Sequence, residues 1–393
     1  MGKLRVSYGT QGNDKVGRDF PYMPILSPVQ MNGNNPIGDQ PRVGFRQTFI
    51  PNQYVTWESA EKFNVGLDLA FLRNRLTVTG EYYINTTKDI LLNPPLPDVI
   101  GVGTGYPAQN SGEVQNKGWE LVVGWQDQVG DFQYRATANL SDVRNKVTKL
   151  ENYATNLGDR VRLEGHPLDA FYGFIAERIA QYDDFDLVDG NYIPKFPYQS
   201  GDIVGPGDLI YRPSSPDDTE ITVGKDRHIL GSDIPRYTYG FRGDLAWKGI
   251  DFSFFIQGVG KADGFLTGSA RHPFINNSAM PQEIHLDRWT PENPDASYPR
   301  FVYMRTHNTR LSSYWIEDAS YLRLKNIQLG YSLPKRWLEG SKLGKVRVYA
   351  SADNLFTKTD FFYGYDPEVP TGNSGGYYPQ VKTFVFGINV NLQ

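Results

Sequence analysis

Residues with reactive side chains are scattered along the chain. It contains no cysteine, and its five histidines have neither the HExxH spacing nor another spacing typical of a zinc site. These histidines are His166, His228, His272, His285 and His307. No GxSxG sequence marks a nucleophilic serine. The sequence therefore predicts no catalytic residue, no metal site, no cofactor and no enzymatic activity.

Two weaker signals leave an enzyme as an alternative. The segment GVGTGY at residues 101–106 resembles a phosphate-binding loop, but it lacks the Lys-Ser/Thr ending and is interpreted as a loop tip. Many Asp and Glu residues would suit a glycosidase, whose paired carboxylates are recognised only by their separation in space. An outer-membrane or secreted hydrolase is thus an alternative hypothesis.

Aromatic residues in long polar segments are better candidates for binding. Sugars present apolar C–H faces that stack on aromatic rings, while amides and carboxylates bind the hydroxyl groups. The predicted ligand-contacting residues are Tyr211, Trp289, Trp315, Phe362, Tyr363 and Tyr365. The alternative is that such rings hold a loop to itself.

The elements that position these loops are strands. Aromatic and turn-forming residues are abundant, with 25 Tyr, 22 Phe and 40 Gly, which favours an all-β fold. Apolar and polar residues alternate from end to end, as in strands that separate two environments. Predicted hairpins join apolar faces beginning at Phe63 and Leu76, at Trp119 and Phe132, and at Tyr237 and Ile250.

Short turns alternate with long connections along the chain. The long segments are 10–56, 87–112, 181–234, 262–319 and 357–379. No run of about 20 apolar residues occurs, but a membrane β-barrel needs none, because its strands alternate lipid-facing and lumen-facing residues. The sequence predicts an antiparallel transmembrane β-barrel with long extracellular loops. The net charge of −4 gives no reason to expect nucleic acid as a partner.

The alternation reverses its phase within residues 321–333. If odd positions face outward throughout, Ile327 to Leu333 cross the hydrocarbon, and Arg323 and Lys325 emerge among the lipid headgroups. Leu322 and Leu324 then turn inward. We favour this interpretation over the alternative, a β-bulge at Lys325 and Asn326, which would also invert the phase.

Residues 170–180 form a strand pattern that cannot be a wall strand, because it would run in the same direction as the strand at Tyr237. We expect this segment to pair with a strand hidden in 181–234 or to rise as a loop hairpin.

Several segments resemble one family of membrane proteins in the family's own order. They are GKLRVSYGTQGN, WESAEKFNVGLDLAFLRNRLTVTGEYY, NKGWELVVGW, IPRYTYGFRGDLAWKGIDFSFFIQGVG, SYLRLKNIQLGYSLP, VRVYASADNLFT and GYDPEV. Together they span nearly the whole chain and resemble SusC-like (SusC/RagA) TonB-linked outer-membrane transporters of Bacteroidetes.

The resemblance implies that residues 1–393 are the C-terminal part of a 22-stranded barrel, without the plug domain, TonB box and signal peptide. It implies import of oligosaccharides or peptides across the bacterial outer membrane, with a SusD-like lipoprotein as lid and energy from TonB. An adhesin-like surface barrel that binds glycans without transport is an alternative. The loop with Asp217 and Asp218 lacks the spacing of a calcium loop, so calcium is not predicted there.

Charged residues opposite the apolar positions are predicted to face the barrel lumen. They are Asp68, Glu81, Glu120, Arg135, Arg242, Asp244, Asp251, Arg347 and Asp353. Their mixed signs suit a polar wall against which a plug docks better than a pore selective for one sign of charge. The alternative is that they form cross-strand salt bridges with one another.

About eleven strands facing lipid cannot leave both sheet edges unpaired, because each unsatisfied backbone group costs several kcal/mol in a bilayer. This also favours the expectation of a partial barrel.

Overall fold

The computed structural model describes residues 1–14, 22–30, 43–92, 108–150, 155–275, 279–303, 305–362, 364–369, 371–372 and 374–392. Ten strands in this part of the chain form one antiparallel sheet, called the wall, in the order β1-β4-β5-β6-β7-β16-β17-β20-β21-β22. Their bounds are β1 Gly2–Asn13, β4 Glu58–Phe71, β5 Leu76–Leu92, β6 Gln109–Val129, β7 Phe132–Lys149, β16 Arg236–Trp247, β17 Ile250–Lys261, β20 Tyr321–Ser332, β21 Leu343–Thr359 and β22 Thr383–Leu392.

Each wall strand is hydrogen-bonded to the wall strands that precede and follow it in the sequence, which confirms the predicted hairpins. Leu121 lies opposite Leu140, and Leu245 lies opposite Phe252. Opposed residues share a face of the sheet, so the alternating apolar residues form one continuous apolar face. The charged residues predicted to face the lumen lie on the other face, called the polar face.

The wall connections are short at one end and long at the other, as predicted. The short turns are 72–75, 130–131, 248–249 and 333–342, whereas the connection from β7 to β16 covers 150–235. At 248–249, Lys248 and Gly249 both have positive φ, 47° and 90°. Two successive residues in this region fit a two-residue hairpin turn that follows the strand twist.

The preferred explanation of the phase reversal in 321–333 is wrong, and the β-bulge is right. Phe255 pairs with Asn326 and Ile256 with Leu324, so Lys325 is the extra residue in β20. One extra residue moves the following side chains to the opposite face. Arg323 is therefore fully buried on the polar face, whereas Leu322 and Leu329 are both exposed, 38% and 54%.

The remaining strands lie in the long connections. They are β2 Ile25–Gln30, β3 Val43–Phe49, β8 Thr155–Asn156, β9 Arg160–Arg162, β10 Ala170–Phe174, β11 Ala176–Ile179, β12 Phe185–Val188, β13 Asn191–Pro194, β14 Leu209–Tyr211, β15 Arg227–Gly231, β18 Asp263–Gly264 and β19 Glu317–Asp318. β10 pairs with β15 and β11 with β14, both antiparallel. The prediction that 170–180 pairs within 181–234 is confirmed.

Short 3-10 helices complete the loops. They are Tyr182–Asp184, Gly268–Ala270, Glu283–Leu286, His307–Thr309, Ser313–Trp315 and Lys335–Trp337. In the described residues, none of the helices has the length and apolar character needed to cross a membrane.

Two long connections, β7 to β16 and β17 to β20, fold around a common hydrophobic cluster, called the loop core. Its buried members are Phe171, Phe174, Ile179, Leu209, Tyr211 and Ile221 from the first connection, and Phe265, Trp289, Ala296, Tyr298, Leu311 and Trp315 from the second. An ion pair between Arg300 and Asp208, with N–O distances of 2.8 and 2.6 Å, also joins the two connections. The loops thus form an ordered unit.

Candidate ligand cleft and the polar wall face

The described loops contain an open cleft of about 1070 Å³. It lies between the two connections that form the loop core and the end of β21. The lining residues are Arg178, Ile179, Gln181, Ile284, Pro294, Asp295, Ala296, Ser297, Tyr298, Tyr314, Trp315, Glu317, Thr359, Asp360, Phe361 and Phe362. Aromatic rings beside carboxylates and amides are the combination that suits a sugar or peptide ligand.

The structure brings two of the six predicted ligand-contacting residues to this cleft, Trp315 and Phe362. Tyr365 packs beside Phe361 in a neighbouring cluster instead. Tyr363 lies outside the described residues. Ligand contact by Trp315 and Phe362 stays a prediction.

Tyr211 and Trp289 do not present open rings. Their exposed fractions are 2% and 6%, and both belong to the loop core. The hydroxyl of Tyr211 donates to the carbonyl of His307 at 2.6 Å, and burial raises the pKa of this phenol. The prediction of ligand stacking is corrected for both residues, because loops this long need large apolar side chains to build a core of their own.

Trp315 belongs to the loop core and also lines the cleft. Its exposed fraction is 2%, and its indole nitrogen donates to the carbonyl of Asn308 at 2.8 Å. Neighbouring Tyr314 meets it edge-on, with 4.9 Å between ring centroids, and burial raises the pKa of Tyr314 to about 12. Tyr314 and Phe362 are half-buried and offer more ring surface to the cleft than Trp315 does.

The charges of the cleft are mainly negative. Glu317, Asp295 and Asp360 line it, and burial raises the pKa of Glu317. The one lining cation among the described residues, Arg178, is held by Asp184 at 2.6 Å through two hydrogen bonds. The cleft therefore favours ligands that are neutral or cationic over polyanions.

Sequence reasoning did not identify Glu317 and Arg178 as cleft residues. Glu317 lies in a two-residue strand and Arg178 in a four-residue strand, so neither belongs to a pattern long enough to predict its neighbours. Only the pairing of the loops brings them together.

All nine residues predicted to face the lumen lie on the polar face of the wall. Glu81 lies opposite Glu120, and Arg135 opposite Asp244. The remaining positions follow from pairing with these strands, since Asp68, Arg242, Arg347 and Asp353 alternate with residues of the apolar face. Their proposed contact with a plug stays a prediction.

Two arginines on the polar face reach across a glycine. Arg5 lies opposite Gly66 and bonds to Asp68 at 2.8 Å and to Glu81 at 2.6 Å, two strands away. A Cβ at Gly66 would lie 2.8 Å from the Arg5 guanidinium. The missing side chain makes room for this bridge.

Arg347 bonds to Asp251 in the same manner, over Gly330 of the intervening strand β20. Here a Cβ would lie 2.3 Å from the guanidinium of Arg347. Cross-strand ion pairs, the alternative weighed from the sequence, thus account for part of the polar face.

Glu120 and Arg135 differ from these pairs. Neither side chain has a hydrogen bond or ion pair with another described residue. They keep charge available for a further partner on this face.

Metal binding has no support from side-chain clusters in the described ranges, where no group of three or more His, Asp or Glu residues is placed to hold an ion. Asp218 instead accepts a bond from Lys225 at 2.5 Å. Calcium binding stays untested.

A comparison with protein families matches residues 2–355 to the model for the TonB dependent receptor-like beta-barrel. The match covers most of the chain and includes the eight wall strands from β1 to β20, together with most of β21.

Curated relatives align with 99% of the chain. TonB-dependent receptor P3 of Formosa agariphila is 30% identical, and the alignment covers 39% of that protein. TonB-dependent receptor SusC of Bacteroides thetaiotaomicron is 26% identical, with 37% of its length covered. The chain therefore spans about two fifths of the length of these relatives.

Solved structures of RagAB agree with the fold. The RagAB peptide importer in its open-open state gives a TM-score of 0.75 at 25% identity, and the alignment covers 99% of this chain and 40% of that one. A second structure, of the RagAB peptide transporter, gives a TM-score of 0.72 at 25% identity.

Proposed function

Because the chain belongs to the TonB-dependent receptor-like β-barrel family, of the SusC/RagA type, we propose that the whole protein imports oligosaccharides across the bacterial outer membrane. In this proposal the wall forms part of the transmembrane barrel, with its apolar face toward lipid and its polar face toward the lumen. The loop cleft contacts the substrate on the outer side. The single observation that carries the substrate role is the cleft lined by Tyr314, Trp315 and Phe362 together with carboxylates.

Peptides are the second candidate substrate. The RagAB proteins that this chain resembles are described as peptide transporters and importers. The negative cleft would suit the ammonium group of a peptide, whereas stacked rings suit a sugar ring. Both substrate classes are neutral or cationic at the point of contact.

A plug domain and TonB supply gating and energy in this proposal. Glu120 and Arg135 are the lumen charges without a partner in the described residues, so we assign them to contacts with the plug. They are better candidates than the charges that already have partners, which are Asp68, Glu81, Arg242, Asp244, Arg347 and Asp353. A SusD-like lipoprotein would cover the loops as a lid. Transport without enzymatic turnover is the expected activity.

Uptake by whole cells tests the proposal. We would measure accumulation of labelled oligosaccharides and of labelled peptides in cells that express a single form of the receptor. The forms are wild type, Phe362→Ala and the control Tyr377→Ala. Tyr377 is a loop tyrosine that is 53% exposed and lies outside the cleft. Loss of one stacking ring should lower the apparent affinity roughly three- to tenfold. Tyr377→Ala should leave uptake unchanged.

Deletion of tonB should abolish uptake in every strain. Uptake that persists without TonB would refute import by this mechanism. If Phe362→Ala weakens uptake of peptides and not of oligosaccharides, the second candidate replaces the first. Equal uptake by all three receptors would remove the cleft from the substrate path.

A further inference from the structure

A second cavity adjoins the cleft at Trp315 and Tyr298. Its volume is about 430 Å³, within the range of small-molecule pockets, roughly 300–1,000 Å³. The lining residues are Arg271, His272, Pro273, Phe274, Ile275, Tyr298, Pro299, Arg300, Phe301, Val302, Arg305, Thr306, Asn308, Thr309 and Trp315. Trp315 and Tyr298 line both cavities, and the other residues are particular to this one.

Arg271 is the unusual residue of this cavity. Its exposed fraction is 1%, yet no carboxylate in the described residues lies within ion-pairing distance of its guanidinium. Nη1 donates to the carbonyl of Leu266 at 3.0 Å and Nη2 to that of Trp315 at 2.5 Å, but Nε has no hydrogen-bond partner. A buried N–H without an acceptor destabilises the fold, and more so when the group is charged.

Aromatic rings stabilise the buried cation without neutralising it. The guanidinium carbon of Arg271 lies 4.0 Å from the ring centroid of Trp315 and 4.9 Å from that of Phe362. Burial nevertheless lowers the pKa of Arg271 to about 9. The loops therefore hold a positive charge that is short of a partner.

The other polar groups of the cavity add to this positive character. Arg300 is neutralised by Asp208, but within the described residues Arg305 has only the carbonyl of Ile203 as a hydrogen-bond acceptor, at 3.0 Å. No described lining residue is acidic. His272, with no hydrogen bond from its ring among the described residues, is 7% exposed, and burial together with the charge of Arg271 lowers its pKa to about 3.

Apolar side chains make up the rest of the lining. Phe274, Ile275, Pro299, Phe301 and Val302 surround the space next to the two arginines. A small inorganic anion would leave this apolar surface uncovered, whereas an organic anion with an apolar body would bury it.

We propose that this cavity binds an organic carboxylate carried on an apolar or ring-shaped body, with Arg271 Nε and Arg305 as the groups that receive the carboxylate. The carboxylate of a peptide C-terminus and that of a uronic acid share this chemistry. Charge-assisted bonds from guanidinium to carboxylate are among the stronger hydrogen bonds in proteins. The site adjoins the cleft through Trp315 and Tyr298, and the proposal does not depend on import.

Binding to the purified full-length receptor tests this site. The probes are N-acetyl-phenylalanine, its uncharged amide, a glucuronic acid disaccharide and inorganic phosphate, each titrated by calorimetry. The variants are Arg305→Ala, which changes an exposed residue, and Arg271→Lys, which retains the charge but loses Nε. Arg212→Ala is the control, because Arg212 is also an exposed loop arginine but lies outside the cavity.

We expect at least one organic carboxylate to bind saturably and the amide to bind at least about tenfold more weakly. Arg305→Ala and Arg271→Lys should each weaken the carboxylate severalfold, and Arg212→Ala should not. The tighter of the two carboxylates identifies the source of the ligand. Equal binding of acid and amide, binding of phosphate alone, or wild-type affinity in Arg305→Ala would each overturn the proposal.

Discussion

Arg323 connects a wall strand to the long connection between β21 and β22. Its fully buried guanidinium bonds to Asp366 at 2.5 Å and also to Glu368, while Nε donates to Thr357 at 3.0 Å. The hydroxyl of Tyr321 donates to Glu368 at 2.6 Å. Two sequence segments that resemble the family separately, SYLRLKN and GYDPEV, thus meet in one network.

Replacement of Arg323 by methionine should release this loop. Removal of one partner of a buried ion pair leaves uncompensated charge and costs about 3–5 kcal/mol. Hydrogen exchange of the full-length receptor should therefore show loss of protection in residues 364–369, while the other loops keep theirs.

Arg242→Met is the matched control for this change. Arg242 pairs with Asp244 on the polar face, but its side chain is 63% exposed, so the pair contributes below about 1 kcal/mol. Equal protection of 364–369 in Arg323→Met and Arg242→Met would contradict the anchoring role of Arg323.

At the scale of single elements, the bulge in β20 places Arg323 on the polar face. A regular strand would put either Arg323 toward lipid or Ile327 and Leu329 toward the lumen, because a shift of one residue inverts the face. The unpaired Lys325 shifts the register by one residue, so Arg323 faces the polar side while Ile327 and Leu329 stay on the apolar face.

Deletion of Lys325 should therefore impair assembly. An arginine facing lipid costs up to about 2–4 kcal/mol near the middle of the membrane, and the loss of the network around Arg323 adds to it. We expect less receptor in the outer membrane and loss of the heat-dependent gel shift of folded barrels. Deletion of Lys342, an exposed lysine in the turn 333–342, should retain both, and equal assembly of the two variants would refute the role of the bulge.

The wall could be predicted from the sequence because its signal is repeated. Alternation with period two over 12 or more residues, as in β4 and β16, fixes the strand and its two faces together. The bulge at Lys325 could not be predicted with the same certainty, since a change of phase has two physical causes that look alike in one strand.

The loops were predicted far less well. In the two connections that form the loop core, the strands are two to five residues long, as in β14 and β19, so no period can be read from them. The burial of Tyr211 and Trp289 depends on contacts between segments about 100 residues apart, and Arg271 is held by a carbonyl 44 residues away. Such contacts leave no local pattern in a single sequence.

At the scale of the whole molecule, the wall has two edges. Within the described residues β1 pairs only with β4, and β22 pairs only with β21. Exposed apolar residues lie on both edge strands, among them Val6 and Ile388, which are 64% and 68% exposed. Backbone groups on these edges need partners in a bilayer.

Cysteine cross-linking can identify those partners, because the chain has no cysteine of its own. Val6 and Val65 lie directly opposite each other, so Val6→Cys with Val65→Cys should cross-link in the full-length receptor. Val6→Cys with Ile388→Cys should not, since we expect other strands of the whole protein to lie between them. A high yield for the second pair would mean that the ten strands close by themselves.

The loop core limits how receptors of this type can be recombined. Phe171 from one connection meets Phe265 from the other edge-on, with 5.0 Å between centroids, and Arg300 reaches Asp208 across the same boundary. A chimaera that receives only one foreign connection keeps half of a matched interface and buries an unpaired charge. Exchange of 150–235 together with 262–320 preserves both halves. The two connections therefore form a single cassette. A change of ligand preference at these loops requires that both connections be exchanged together.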